Sequence, residues 1–166
     1  MRYCRLRPGY FWRGYATTPA VTPHKAPTSA KGRLDAAFKA CEEAPRAYFA
    51  FCDKQAAAHT TRMMAWREAN SSLIAPAGSS TQYLKAMADE DKAFMDMKRS
   101  LDEWLFAIAQ LKSAIEDYKK VAGKKGSSVV AAATRAVESQ TNEHRKNVAK
   151  YKQKLQVWEK QPRLRP

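Results

Sequence analysis

Residues 94–118 read FMDMKRSLDEWLFAIAQLKSAIEDY. Apolar side chains fall at Phe94, Met97, Leu101, Trp104, Ile108, Leu111, Ile115 and Tyr118, in steps that alternate three and four. That is the a/d rhythm of a helix packed along one seam. Asp96, Lys98, Arg99, Asp102, Glu103, Lys112, Glu116 and Asp117 occupy positions between them, so the opposite face meets water. Neither Gly nor Pro interrupts residues 81–122, which gives a helix of roughly 60 Å at about 1.5 Å per residue. Tyr83 and Met87 carry the same face backward. A stripe of this length needs helical partners.

The first partner follows it in the chain. Gly123 fits the position just past a helix end, and the connector GKKG is short, so the next helix folds back antiparallel. That helix spans about 128–160, with a seam at Val130, Thr134, Val137, Thr141, His144, Val148, Tyr151, Leu155 and Trp158. Around this turn, facing residue numbers sum to about 249, which sets Leu101 by Val148, Ile108 by Thr141, Leu111 by Val137 and Phe94 by Leu155. Thr134, Thr141 and His144 are polar at seam positions, which fits a looser end or a docking place for another chain.

The second partner precedes it. A helix over about 34–70 carries the stripe Leu34, Phe38, Cys41, Tyr48, Cys52, His59, Met63 and Trp66. Pro45 removes a backbone donor inside it and predicts a kink or break near Ala44. The segment SLIAPAGSS reads as a loop whose Leu73 and Ile74 plug the end of the bundle. Ser79 with Gln82 fits a capping box for the central helix. Around this loop the facing numbers sum to about 150, which sets Met63 by Met87 and Trp66 by Leu84. The expected fold is all-α: an antiparallel helical hairpin of three long helices, the first kinked at Pro45, behind an extended basic N-terminal arm.

The chain has 166 residues and a net charge of +14, distributed unevenly. Residues 1–33 hold seven Lys/Arg and no acid; residues 34–118 hold ten basic and thirteen acidic groups; residues 119–166 hold thirteen basic and three acidic. Basic ends on a near-neutral body suit an acidic protein surface, anionic lipid headgroups or RNA. No apolar run approaches the 18 or so residues of a membrane span. Cys4, Cys41 and Cys52 are too few and odd in number for a disulfide framework, which points to a reducing compartment.

The opening MRYCRLRPGYFWRGYATTPA is rich in Arg and aromatics and free of acids, the composition of a mitochondrial presequence. Arg13-Gly14-Tyr15-Ala16 resembles a matrix-peptidase cleavage site. The expected organisation is a presequence-like segment over 1–15, a Pro-rich linker or arm over 16–33, a helical body over 34–162 and a basic tail over 163–166.

Catalytic and metal constellations are absent from the sequence. There are three histidines, His24, His59 and His144; no His-Glu-x-x-His occurs, and no Glu stands three residues before either helical His. The acid run Asp89-Glu90-Asp91 reads as a solvated face, with pairing to Lys160 and Arg163 as its sharper reading. Gly123 to Ser128 lacks the preceding strand and the Lys after the last Gly of a nucleotide loop, so it reads as a turn, with Lys124, Lys125 and Ser127 as a candidate anion contact. Tyr151 and Trp158 stand among C-terminal lysines but keep the seam rhythm, so they read as core or as a protein-packing seam with Leu155 rather than as a stacking platform.

The expectation is a non-catalytic accessory subunit without cofactor or metal, in the mitochondrial matrix or on the matrix face of the inner membrane. Its partners are other subunits of an energy complex, the ATP synthase or a respiratory complex, with anionic lipid headgroups beside them. The alternative is a mitochondrial ribosomal protein that meets RNA through its basic ends.

Overall fold

The computed structural model describes residues 29–70 and 79–160. They form helix α1 (Ala30–Asn70), helix α2 (Ser79–Ala122), a 3₁₀ turn (Gly123–Gly126) and helix α3 (Ser127–Glu159), with no strand among the described residues. The expected separation into three helices is not how the backbone divides. There are two unbroken helical runs, 30–70 and 79–159, and the second folds back on itself through the 3₁₀ turn. Gly123 makes that reversal, at φ 54, the left-handed conformation that glycine adopts without a Cβ clash. Gly126 is needed for a different reason. A Cβ there would lie 2.5 Å from Cβ of Ala122 and 2.9 Å from the Tyr118 ring.

α1 begins four residues before its expected start. Ser29 caps it: the Gly32 N–H donates to Ser29 Oγ at 3.0 Å. No break occurs near Ala44, because α1 runs helical through Pro45 and the pyrrolidine ring is buried. Packing of the ring offsets the hydrogen bond that proline forgoes. α2 is already helical at Ser79, the residue expected to cap it. Gly78, the Leu73–Ile74 plug and residues 1–28 and 161–166 lie outside the described residues.

α2 lies between the other two helices and supplies most of the core. Phe94, Met97, Leu101, Trp104, Ile108, Leu111 and Ile115 are all buried, and Tyr118 is half-buried. Both registers hold. Arg33 reaches Asp117 and Tyr48 meets Trp104 across α1 and α2, close to the sum of 150. Phe94 lies between Tyr151 and Trp158 across α2 and α3, at centroid distances of 6.3 and 5.3 Å that bracket Leu155. Trp104 donates its indole N–H to Gln140 Oε1 at 2.9 Å. Of the two residues set side by side at the far end, Trp66 and Leu84, only the first is packed. Trp66 and Met87 cover a small second cluster of Ala65, Tyr83 and Ala86, while Leu84 is exposed.

The polar seam of α3 is used within the chain. His144 is buried and its Nε2 lies 3.0 Å from the Leu101 carbonyl, so Nε2–H donates to it, and the imidazole stands edge-on to Trp104. Thr134 Oγ1 donates to the Val130 carbonyl. Two of the three polar seam positions, Thr134 and His144, thus make hydrogen bonds within the chain, while the buried Thr141 hydroxyl makes none among the described residues. Cys41 is buried and Cys52 half-buried, both free thiols. Burial raises the Cys41 thiol above its ordinary 9.0, with Glu42 adding to the effect.

Candidate functional site at the junction of three helices

The last turns of α3 meet α2 near Phe94 and α1 near Gln55. Beyond that level, α1 and α2 continue as a pair. Glu90 sits at this step with no exposed surface. It is not part of a solvated acid face, and among the described residues its partners do not include Lys160; Arg163 lies outside them. Its Oε2 lies 3.0 Å from Arg62 Nη1, and its Oε1 lies 2.8 Å from His59 Nδ1. Arg62 is as deeply buried as the carboxylate, whereas His59 is partly exposed. The carboxylate as acceptor places the imidazole proton on Nδ1, which turns Nε2 away from Glu90.

Two signals for this cluster are present in the sequence. Tyr83, Met87, Glu90, Phe94 and Met97 keep the alternation of four and three, so Glu90 stands on the seam. Leu34, Cys41, Tyr48, Gln55 and Arg62 recur every seventh residue and are all buried, so the polar pair Gln55 and Arg62 extends the α1 stripe. The sum of 150 then sets Glu90 against residue 60, between His59 and Arg62. Polarity at seam positions hides them from a search for apolar periodicity alone.

A groove of about 600 Å³ opens beside the cluster. Phe94, Trp158, Val157 and Ala56 form apolar walls, and Lys150 and Lys154 stand at the rim. Lys154 Nζ donates to Gln55 Oε1 at 3.4 Å, the link between α1 and α3. Tyr151, Leu155 and Trp158 pack on the core as the seam requires, with burial raising the Tyr151 phenol. Lys124, Lys125 and Ser127 are exposed on the 3₁₀ turn and the first residue of α3. Among the described residues no cluster of His, Cys, Asp or Glu could hold a metal ion, and no helix is long and apolar enough to cross a membrane.

The solvent side of α2 carries a second feature. Met95, Leu105 and Phe106 are 50%, 52% and 64% exposed. Met95 and Phe106 are eleven residues apart, about three turns, so they share one face, with Arg99 and Asp102 between them. In comparisons with protein families, curated proteins and solved structures, nothing matches this chain.

Proposed function

We propose that the chain is a non-catalytic structural subunit of a mitochondrial inner-membrane energy complex, the ATP synthase or a respiratory complex, held on its matrix side. The observation that supports this reading is the exposure of the adjacent Leu105 and Phe106 on α2, with Met95 three turns before Phe106. Large apolar side chains left bare on a helix suit a protein contact surface. The mitochondrial address rests on the acid-free, Arg-rich start, and the choice of an energy complex rests on the long helical body.

The ribosomal reading draws on a separate observation: Arg145, Lys146, Lys150, Lys152 and Lys154 are all exposed on α3. Two variants separate the readings. Leu105→Ser with Phe106→Ser removes the apolar face, and Lys146→Gln with Lys150→Gln and Lys154→Gln removes basic charge. The expected result is that the first variant leaves its complex on affinity purification from mitochondria and the second stays. Loss from the lysine variant alone, with ribonuclease-sensitive co-sedimentation, reverses the choice, because phosphate contacts are what Lys→Gln abolishes. A fluorescent reporter fused to residues 1–33 is expected in mitochondria; cytosolic fluorescence rejects the address.

A further inference from the structure

The groove at the three-helix junction has a charge and a size that select a ligand class. Its one acidic lining residue, Glu90, faces inward onto Arg62 and His59, so its charge is met within the protein. What remains toward solvent is the ammonium pair Lys150 and Lys154, with the polar side chains of His59, Thr60 and Gln153, around an apolar bed. Val157, on that bed, is 62% exposed. The other grooves differ. The one between α2 and α3, of about 590 Å³, sets Lys112, Lys119 and Arg145 against Glu116 and Glu138, and Lys119 already pairs with Glu116 at 2.6 Å. The one between α1 and α2 is lined by small residues and closed by the Arg33–Asp117 pair.

Length decides between a partner helix and a small molecule. The groove runs from Lys150 to Trp158 along α3, about 12 Å at 1.5 Å per residue, and from Gln55 to Thr60 along α1, about 8 Å. A docked helix needs a bed several turns long, whereas a volume of about 600 Å³ is that of a small-ligand site.

We propose that this groove binds a single-chain amphiphilic anion, with its apolar chain on Phe94, Val157 and Trp158 and its carboxylate or phosphate head on Lys150 and Lys154. The chain covers the bare Val157 surface. The head replaces the neutral Gln55 contact of Lys154 with a charge-assisted one. The site stands whether or not the chain is built into an assembly.

The test is calorimetric titration of the full chain with octyl phosphate and octanoate below their micelle-forming concentrations, beside octanol, octyltrimethylammonium and inorganic phosphate. Both anions are expected to bind one per chain, and the three controls at least about tenfold more weakly. Lys150→Gln with Lys154→Gln is expected to weaken octyl phosphate about tenfold or more, and Val157→Asp to abolish binding. Because all three side chains are exposed, the variants should melt within about 2 °C of the parent. Phosphatidylcholine vesicles with and without phosphatidylglycerol separate the sources. Binding that needs the anionic lipid and fails in the same variants assigns a bilayer lipid; binding of the octyl anions alone assigns a free amphiphile. Equal binding of octanol or of the cation overturns the proposal. So does octyl phosphate binding that both variants leave intact, which would place it on the basic N-terminal residues. An oligoglutamate peptide bound in preference to octyl phosphate replaces the amphiphile with an acidic protein segment.

Discussion

At the scale of single residues, the Glu90–Arg62 pair carries the largest penalty for being broken and a small one for being replaced. Both side chains have left water, and each is tolerated because the other faces it. Glu90→Ala should therefore cost about 3–5 kcal/mol, while Glu90→Leu with Arg62→Met should unfold within about 1 kcal/mol of the parent in urea. Equal loss in the single and double variants would show that the pair is needed for its geometry and not only for its charge balance. His59→Ala should cost less, about 1 kcal/mol, because His59 is partly exposed and contributes one hydrogen bond. Alkaline titration probes other residues. Burial raises both the Cys41 thiol and the Tyr48 phenol, and a hydrogen bond with the Cys52 side chain adds to the second. An acid whose folded form holds its proton more tightly contributes stability below its unfolded value and loses it as pH rises through the folded one. The ordinary values are 9.0 for the thiol and 10.0 for the phenols, so the contribution of these groups should be flat to about pH 9, then fall, first through Cys41 and next through Tyr48 and the likewise raised Tyr151. Cys41→Ala should delay the onset of that fall.

At the scale of elements, the seam of α2 and the turn that follows it test different physics. Leu101→Ala and Ile108→Ala each open a cavity in a fully packed row and should cost roughly 2–4 kcal/mol in urea unfolding. Lys98→Ala removes an exposed i,i+4 pair with Asp102 and should cost under about 0.5 kcal/mol. Gly123→Asn should be milder than Gly123→Ala, because Asn enters the left-handed region more readily; Gly126→Ala should be the worst of the three, because the added carbon meets Ala122 and Tyr118 directly. The seam and the reversal were legible because Leu, Ile, Trp and Gly have one common use at those positions. Registers near 150 and 249 followed from two short connectors. Of the kink or break expected at Pro45, the absence of a break was not legible, since chain rules state what proline costs the helix and not what its buried ring returns. Glu90 was misplaced for a related reason. A carboxylate's default is water, and only the joint placement of Arg62 and His59 reverses it.

At the scale of the whole molecule, the length mismatch between helices sets where the fold opens. Among the described residues α3 ends opposite Glu90, so residues 61–70 and 79–89 pack as two helices over the small cluster of Ala65, Tyr83 and Ala86. Amide hydrogen exchange should be slowest across 97–111, inside the large cluster, and faster by orders of magnitude in 61–70 and 79–89. Uniform protection along α2 would mean that the two-helix end is as firmly held as the centre. The same step has a mechanical consequence. A rod that narrows from three strands to two loses bending stiffness abruptly at the narrowing, and curvature under load concentrates there. For this molecule the compliant point lies beside residues 60 and 90. A force applied at the far tip of α1 and α2 would be felt first as strain on one buried carboxylate and the two side chains that hold it.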